Sequence, residues 1–213
     1  MNKEYPYNRE HGHDLIIKRL GFDPVVFATY LSNRVGESAR IGELGGGTGE
    51  LTHYMLRCNQ YLRTPVQVQC IDMYSATYAL EHFSQGKYPD EVRFDYKPHL
   101  LIAHNSVAAF EVTNSNYPFY IDFKTAIGPM ILDVHPRVGT IVIYSVMPVE
   151  VSLDKYIRYA KQNGFFLYVP DKSDFHGHPL KLVLSKDQNI DPWFMVNIHK
   201  SAALDRQRRY DVD

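Results

Sequence analysis

The sequence predicts an α/β fold built on a parallel sheet with crossover helices, and three observations carry that expectation. Short apolar runs alternate with helical patterns from residue 39 onward. A glycine-rich turn joins the first of these runs to the first of these helices. Later, Thr140-Ile141-Val142-Ile143-Tyr144 forms a continuous apolar strand preceded by Gly139.

Taken in order, residues 1–12 are polar and aromatic with no period. A helical pattern begins near Asp14 with Leu15, Ile16, Ile17 and Leu20. In the next helix Asp23 serves as cap, Pro24 fits the first turn, and Val26, Phe27, Tyr30 and Leu31 share one face until Gly36. Residues 39–44 read as a strand, 50–62 as a helix and 66–71 as the second strand. Ser75 is placed to cap a helix whose Ala76, Ala79, Leu80 and Phe83 fall at helical spacing, closed by Gly86. Residues 92–94 make a short third strand. Between 97 and 126, Leu100-Leu101-Ile102-Ala103 and Phe110-Glu111-Val112-Thr113 compete for the fourth strand, and the second is favoured. Ser152 then caps a helix with Leu153, Tyr156, Ile157 and Ala160 inward, ended by Asn163-Gly164. Residues 165–169 and 180–184 are strands joined by a polar loop, 193–198 a further strand or edge, and 205–213 a charged tail.

Bulk properties narrow the function classes. The 213 residues suit one domain, and no linker, repeat or low-complexity stretch divides them. Apolar residues are 45% and charged residues 22% of the chain, which is globular composition. Lys plus Arg number 23 against 24 acids, so no global charge draws the chain to nucleic acid. Cys58 and Cys70 offer neither a disulfide framework nor metal-ligand spacing. The N-terminus lacks the apolar core of a signal peptide, and no apolar run approaches the ~18 residues of a membrane span. A cytoplasmic protein without membrane contact is therefore expected.

The most informative segment is Ile41-Gly42-Glu43-Leu44-Gly45-Gly46-Gly47-Thr48-Gly49-Glu50-Leu51-Thr52. Glycines between a strand and a helix let backbone approach a ligand and aim helix N–H groups at it. Read as G-x-G-x-x-G from Gly45 and Gly47, the third glycine falls on Glu50, a carboxylate where a pyrophosphate would lie. No Gly-Lys-Ser/Thr follows, which excludes a P-loop. The spacing is Glu-x-Gly-x-Gly-x-Gly, through Glu43, Gly45, Gly47 and Gly49. It resembles the first motif of class I (Rossmann-like) S-adenosylmethionine-dependent methyltransferases. Val66-Gln67-Val68-Gln69-Cys70-Ile71-Asp72 follows at the distance that this family shows for its second strand and ribose-binding acid.

The resemblance implies a three-layer sandwich with a mostly parallel seven-stranded sheet and one late antiparallel strand. It makes S-adenosylmethionine the cofactor. It assigns Glu43, Gly45, Gly47 and Gly49 to the methionine part, Asp72 to the ribose hydroxyls, Met73 to the adenine face, and Asp95 with Tyr96, after the third strand, to the adenine amine. A sulfonium and an α-ammonium suit a site lined by carboxylates. Residues 1–36 would form a helical cap and 97–126 the substrate side. The reaction implied is direct methyl transfer from the sulfonium to a nucleophile.

Asn116-Tyr117-Pro118-Phe119 resembles the Asn-x-Pro-Tyr/Phe motif of amine-methylating members, including the ribosomal RNA adenine dimethyltransferases. There an amide oxygen and a backbone carbonyl hold the amine while the aromatic stacks on the base. Asn116, Pro118 and Phe119 are thus the candidate catalytic residues, and a planar amine such as a nucleobase the favoured acceptor. Asn105, after the rival fourth strand, is the alternative. A proline turn closing a loop is the plain reading of the same residues, and the basic surplus of the ribosomal enzymes is missing. A small-molecule O- or N-methyltransferase, or a non-catalytic subunit with a protein partner or a second copy, stays open. His11-Gly12-His13 and Asp174-Phe175-His176-Gly177-His178 each supply two imidazoles, too few for a transition-metal site, so no metal is expected.

Overall fold

The computed structural model describes residues 13–74, 80–108, 121–145, 154–168 and 180–190. Within them run five helices: α1 (His13–Leu20), α2 (Pro24–Asn33), α3 (Glu50–Cys58), α4 (Phe123–Asp133) and α5 (Asp154–Gln162). The strands are β1 (Arg40–Leu44), β2 (Gln67–Asp72), β3 (Phe83–Gln85), β4 (Leu100–His104), β5 (Val107–Ala108), β6 (Ile121–Asp122), β7 (Thr140–Ser145), β8 (Phe166–Tyr168) and β9 (Leu180–Ser185). Seven strands form one sheet in the order β3-β2-β1-β4-β7-β9-β8. The strands from β3 to β7 are mutually parallel, and β9 runs antiparallel to both β7 and β8. A mostly parallel sheet with a late antiparallel strand is therefore present. Among the described residues no helix is long and apolar enough to cross a membrane.

The layers follow from side-chain alternation. Every residue of β4 and β7 is buried, as parallel strands covered on both faces require. Ile41, Leu100, Ile102 and Val142 face one way, onto Leu20, Phe27, Leu31, Leu51 and Met55 of α1–α3. Leu44, Leu101, Ala103, Ile141 and Ile143 face the other, onto Ala126, Ile127, Met130 and Ala160 of α4 and α5. The α2 cap is made as its sequence requires, with Asp23 Oδ1 accepting from the Val25 and Val26 amides at 2.8 and 3.2 Å. Helix α3 tightens into a single 3₁₀ turn over Asn59–Tyr61.

Two strands differ from the sequence expectation. The fourth is Leu100–His104, not the favoured 110–113, which lies outside the described residues. Its uninterrupted apolar run suits a slot between β1 and β7, where both faces are covered. The third is Phe83–Gln85, not 92–94. Phe83 leaves the expected helical face to pair with Cys70, directly after a 3₁₀ turn at Leu80–His82, while Ser75, Ala76 and Ala79 lie outside the described residues. Phe94 instead lays its ring against β1: a Cβ on Gly42 would sit 2.7 Å from it. Helix α4 had no signal in the pattern because Gly128 and Pro129 lie inside it. Its N-terminus is fixed by Asp122, whose Oδ1 accepts from the Lys124 amide at 2.9 Å. Ser152 and residues 193–198 lie outside the described residues.

Candidate functional site

At the C-terminal edge of the parallel strands, β1 ends in a turn that only glycine builds without strain. Gly45, Gly47 and Gly49 have φ of 68°, 58° and 87°, in the left-handed region. Gly45 is also crowded, since a Cβ there would lie 2.1 Å from the Ser106 Cβ. The Gly45 amide donates to the Ile71 carbonyl at 2.7 Å, tying the turn to β2, and α3 begins directly after Gly49. Under the turn lies Glu43, nearly fully buried, whose Oε2 accepts from the Thr52 hydroxyl. Burial pushes its carboxyl up to about 7; the Thr52 bond opposes the rise and the Asp72 charge adds to it. Gly46 leaves room for that packing, because a Cβ there would fall 2.3 Å from the Cys70 Sγ and 3.2 Å from the Glu43 Cδ. Burial, with Glu43 and Asp72 nearby, raises the Cys70 thiol well above its ordinary range, so it stays protonated and inert.

Asp72 closes β2 and is the second buried acid. Its Oδ2 accepts from the Gly47 amide at 2.9 Å and its Oδ1 from the Tyr74 amide at 3.0 Å. Burial still holds its carboxyl above the ordinary value, against those backbone bonds. Each oxygen keeps a lone pair for a further donor, as a ribose diol requires.

No family model and no curated protein matches the chain. Solved structures do. The plantazolicin methyltransferase BpumL, in complex with a pentazolic desmethylPZN analog and SAH, superposes with a TM-score of 0.50 at 10% identity, over 85% of this chain and 88% of that one. A TehB-like SAM-dependent methyltransferase from Corynebacterium glutamicum gives 0.49 at 15% identity, over 75% and 87%. The citrinin polyketide synthase CMeT domain structure gives 0.49 at 14% identity, over 84% of this chain but only 57% of that one. The chain has the fold of the class I methyltransferases.

In this methyltransferase fold Glu43, Gly45, Gly47, Gly49 and Asp72 lie together, and Met73 follows them half-buried. The Met73 carbonyl accepts from the Gln85 side-chain Nε2 at 3.3 Å. Asp95 and Tyr96 are not in this group. The third strand ends at Gln85, and the chain has turned back across the sheet by the time it reaches them. The Asp95 amide donates to Gln69 Oε1 at 2.8 Å, and the Tyr96 hydroxyl donates to the Ile41 carbonyl at 2.8 Å, both away from the strand C-termini. Gly86 directly follows the third strand, its amide donating to the Asp72 carbonyl at 2.8 Å.

Four further residues stand at the same edge. Asn105 directly follows β4 with φ of 54°, anchored by its amide to the Tyr144 carbonyl at 2.7 Å. His104 stacks on Tyr144, ring centroids 5.3 Å apart, and the Arg19 guanidinium of α1 lies 6.0 Å from the Tyr144 ring. Asn116, Pro118 and Phe119 lie outside the described residues, as do His11, Asp174, His176 and His178. His13 opens α1 and stacks on Tyr54 at 4.8 Å.

The opposite edge carries a cluster that no motif announced. Glu37, His99 and His135 place ligand-capable atoms within 4.8 Å of one another. The His99 Nδ1 accepts from the Arg40 amide at 3.1 Å and the His135 Nδ1 from the Arg137 amide at 3.3 Å. Both Nε2 atoms face Glu37, at 3.5 and 3.4 Å, and the Arg40 Nη2 lies 3.4 Å from the His99 Nε2. Glu37 thus ties the segments before β1, β4 and β7 together as a latch. Burial, with Arg40 alongside, lowers His99 to about 4, and burial lowers His135 as well.

Proposed function

We propose that the chain is an S-adenosylmethionine-dependent methyltransferase. The observation that carries this reading is the glycine turn held between Glu43 and Asp72, two buried acids with raised pKa. Such a site suits a ligand bearing a diol and positive charge, and disfavours a diphosphate. Asp72 would accept from the ribose hydroxyls, Met73 and Gln85 would border the adenine, and the turn would admit the methionine part. The bound cofactor supplies an electrophilic methyl on a sulfonium.

The acceptor is proposed to be a planar amine, such as a nucleobase or related heterocycle, held by Asn116, Pro118 and Phe119. Support comes from how that segment is rooted. Strands β5 and β6 pair in parallel, and the Ile121 amide donates to the Ser106 carbonyl at 2.8 Å, so both ends of residues 109–120 meet beside Gly45. Asn105 stands at the same root and is the alternative amide. Positioning, rather than proton transfer, would carry the rate with such an acceptor. His104, an imidazole at the end of β4, favours a second reading: a small hydroxyl- or amine-bearing acceptor whose proton it takes.

A thermal melt tests the cofactor. S-adenosylmethionine and its demethylated product at ~100 times their dissociation constants should each stabilise the chain by about 2.7 kcal/mol, and NAD should not. A shift with NAD alone would overturn the reading. Asn116→Ala and Asn105→Ala separate the amine-holding segments, since the one that matters loses transfer while keeping the cofactor shift.

A further inference from the structure

At the N-terminal edge of the sheet, far from the glycine turn, a cavity of about 430 Å³ is lined by Arg34, Arg137, Phe166, Lys186, Gln188 and Asn189 among others. Strand β7 separates the two edges, ~20 Å at the usual rise of a strand. The cavity lies in the size range of small-molecule sites and is large for a bare ion.

Its charge is unbalanced. Asp187 is the one acid in the lining, and it is already engaged: Arg34 Nε lies 2.6 Å from its Oδ2, and the Asn189 amide donates to its Oδ1 at 2.9 Å. Arg137 and Lys186 make no ion pair among the described residues. The Lys186 ammonium sits 5.0 Å from the Phe165 ring centroid, and burial together with Lys97 lowers its pKa. In the same lining Phe166, at the start of β8, is 45% exposed and offers an aromatic ring to the cavity. Gln188 and Asn189 are exposed at the same rim, the Asn189 Nδ2 donating to the Asp187 Oδ1 at 3.1 Å.

We propose that this cavity binds a nucleotide, with its phosphate on Arg137 and Lys186 and its base against the Phe166 ring. Two cations with no ion pair among the described residues give the phosphate its counter-charge, and an exposed ring gives any base a face to stack on. Nothing in this argument depends on the glycine turn.

Calorimetric titration of the full chain with inorganic phosphate, uridine 5′-monophosphate and a short oligouridylate tests it, uridine being chosen to avoid an adenosine site at the other edge. The expected result is saturable binding of the monophosphate, weakened at least tenfold in the Arg137→Glu, Lys186→Glu double variant. Phe166→Ala, a change at an exposed ring, should weaken the monophosphate roughly tenfold and leave inorganic phosphate unchanged. If the oligouridylate binds more tightly, with a steep fall in salt, the occupant is a strand; equal affinity makes it a free nucleotide. No saturable binding by the wild-type chain, or unchanged binding by the Phe166→Ala and charge-reversed variants, would overturn the proposal.

Discussion

Two glutamates near the ends of one strand show how differently the two edges of this sheet are built. Glu37, just before β1, is surrounded by Arg40, His99 and His135. Desolvation raises its carboxyl, but those neighbours together hold it below the ordinary value. Glu43, inside β1, has the Thr52 hydroxyl for a donor and Asp72 for a neighbouring charge, and it is raised to about 7. The first acid sits in a network that supplies it a cation, Arg40, and two imidazoles. The second sits in one that lacks them, and that deficit is what a positively charged ligand would fill.

Gly45→Ala strikes the second edge hardest. Its methyl would meet Ser106 in a backbone conformation that alanine avoids, so we expect a loss of about 3 kcal/mol in urea unfolding. The melting shift from S-adenosylmethionine should vanish with it, and a retained shift would break the contrast. Asp72→Asn should fold, yet weaken that ligand at least tenfold in calorimetry, since it removes half of the acid pair.

The pH profile sharpens the comparison further. Glu43 titrates near 7 in the folded chain against an ordinary 4.5, so the folded state holds a proton that the unfolded state has lost, and stability falls as pH rises through that window. Asp72, also raised, adds to the fall. His99 is held at about 4 against an ordinary 6.5, so the unfolded state binds the proton first and stability rises with pH between those values. Each group contributes at most about 1.4 kcal/mol per pH unit, and the two oppose one another where the windows overlap. Melts of Glu43→Gln should therefore climb across the His99 window, and those of His99→Gln should drop across the Glu43 window. Identical profiles for both variants would remove the distinction between the edges. Smallest is Thr52→Val, which deletes the hydroxyl donor to Glu43: about 1 kcal/mol of stability, with the Glu43 titration moved further upward in the same pH-dependent melts.

What the sequence revealed depends on how local each feature is. Glu43, the glycines and Asp72 were legible because one strand-turn-helix and the end of the next strand carry them. Strand β3 was misplaced because three residues are too few to show a period. Strand β4 was passed over because its unbroken apolar run carries no alternation, and α4 because Gly128-Pro129 reads as a break. The latch and the basic cavity left no trace, since their residues come from stretches as distant as Glu37 and His135 and meet only when β1, β4 and β7 align.

The short β5–β6 clasp has an evolutionary consequence. A segment whose two ends are already joined at the rim of a rigid sheet is a natural cassette. Residues 109–120 could be exchanged for a shorter, longer or chemically different stretch, and the sheet would receive the replacement at the same two hydrogen-bonded termini. Grafting such segments onto this scaffold would test whether they select the acceptor, without redesigning its core.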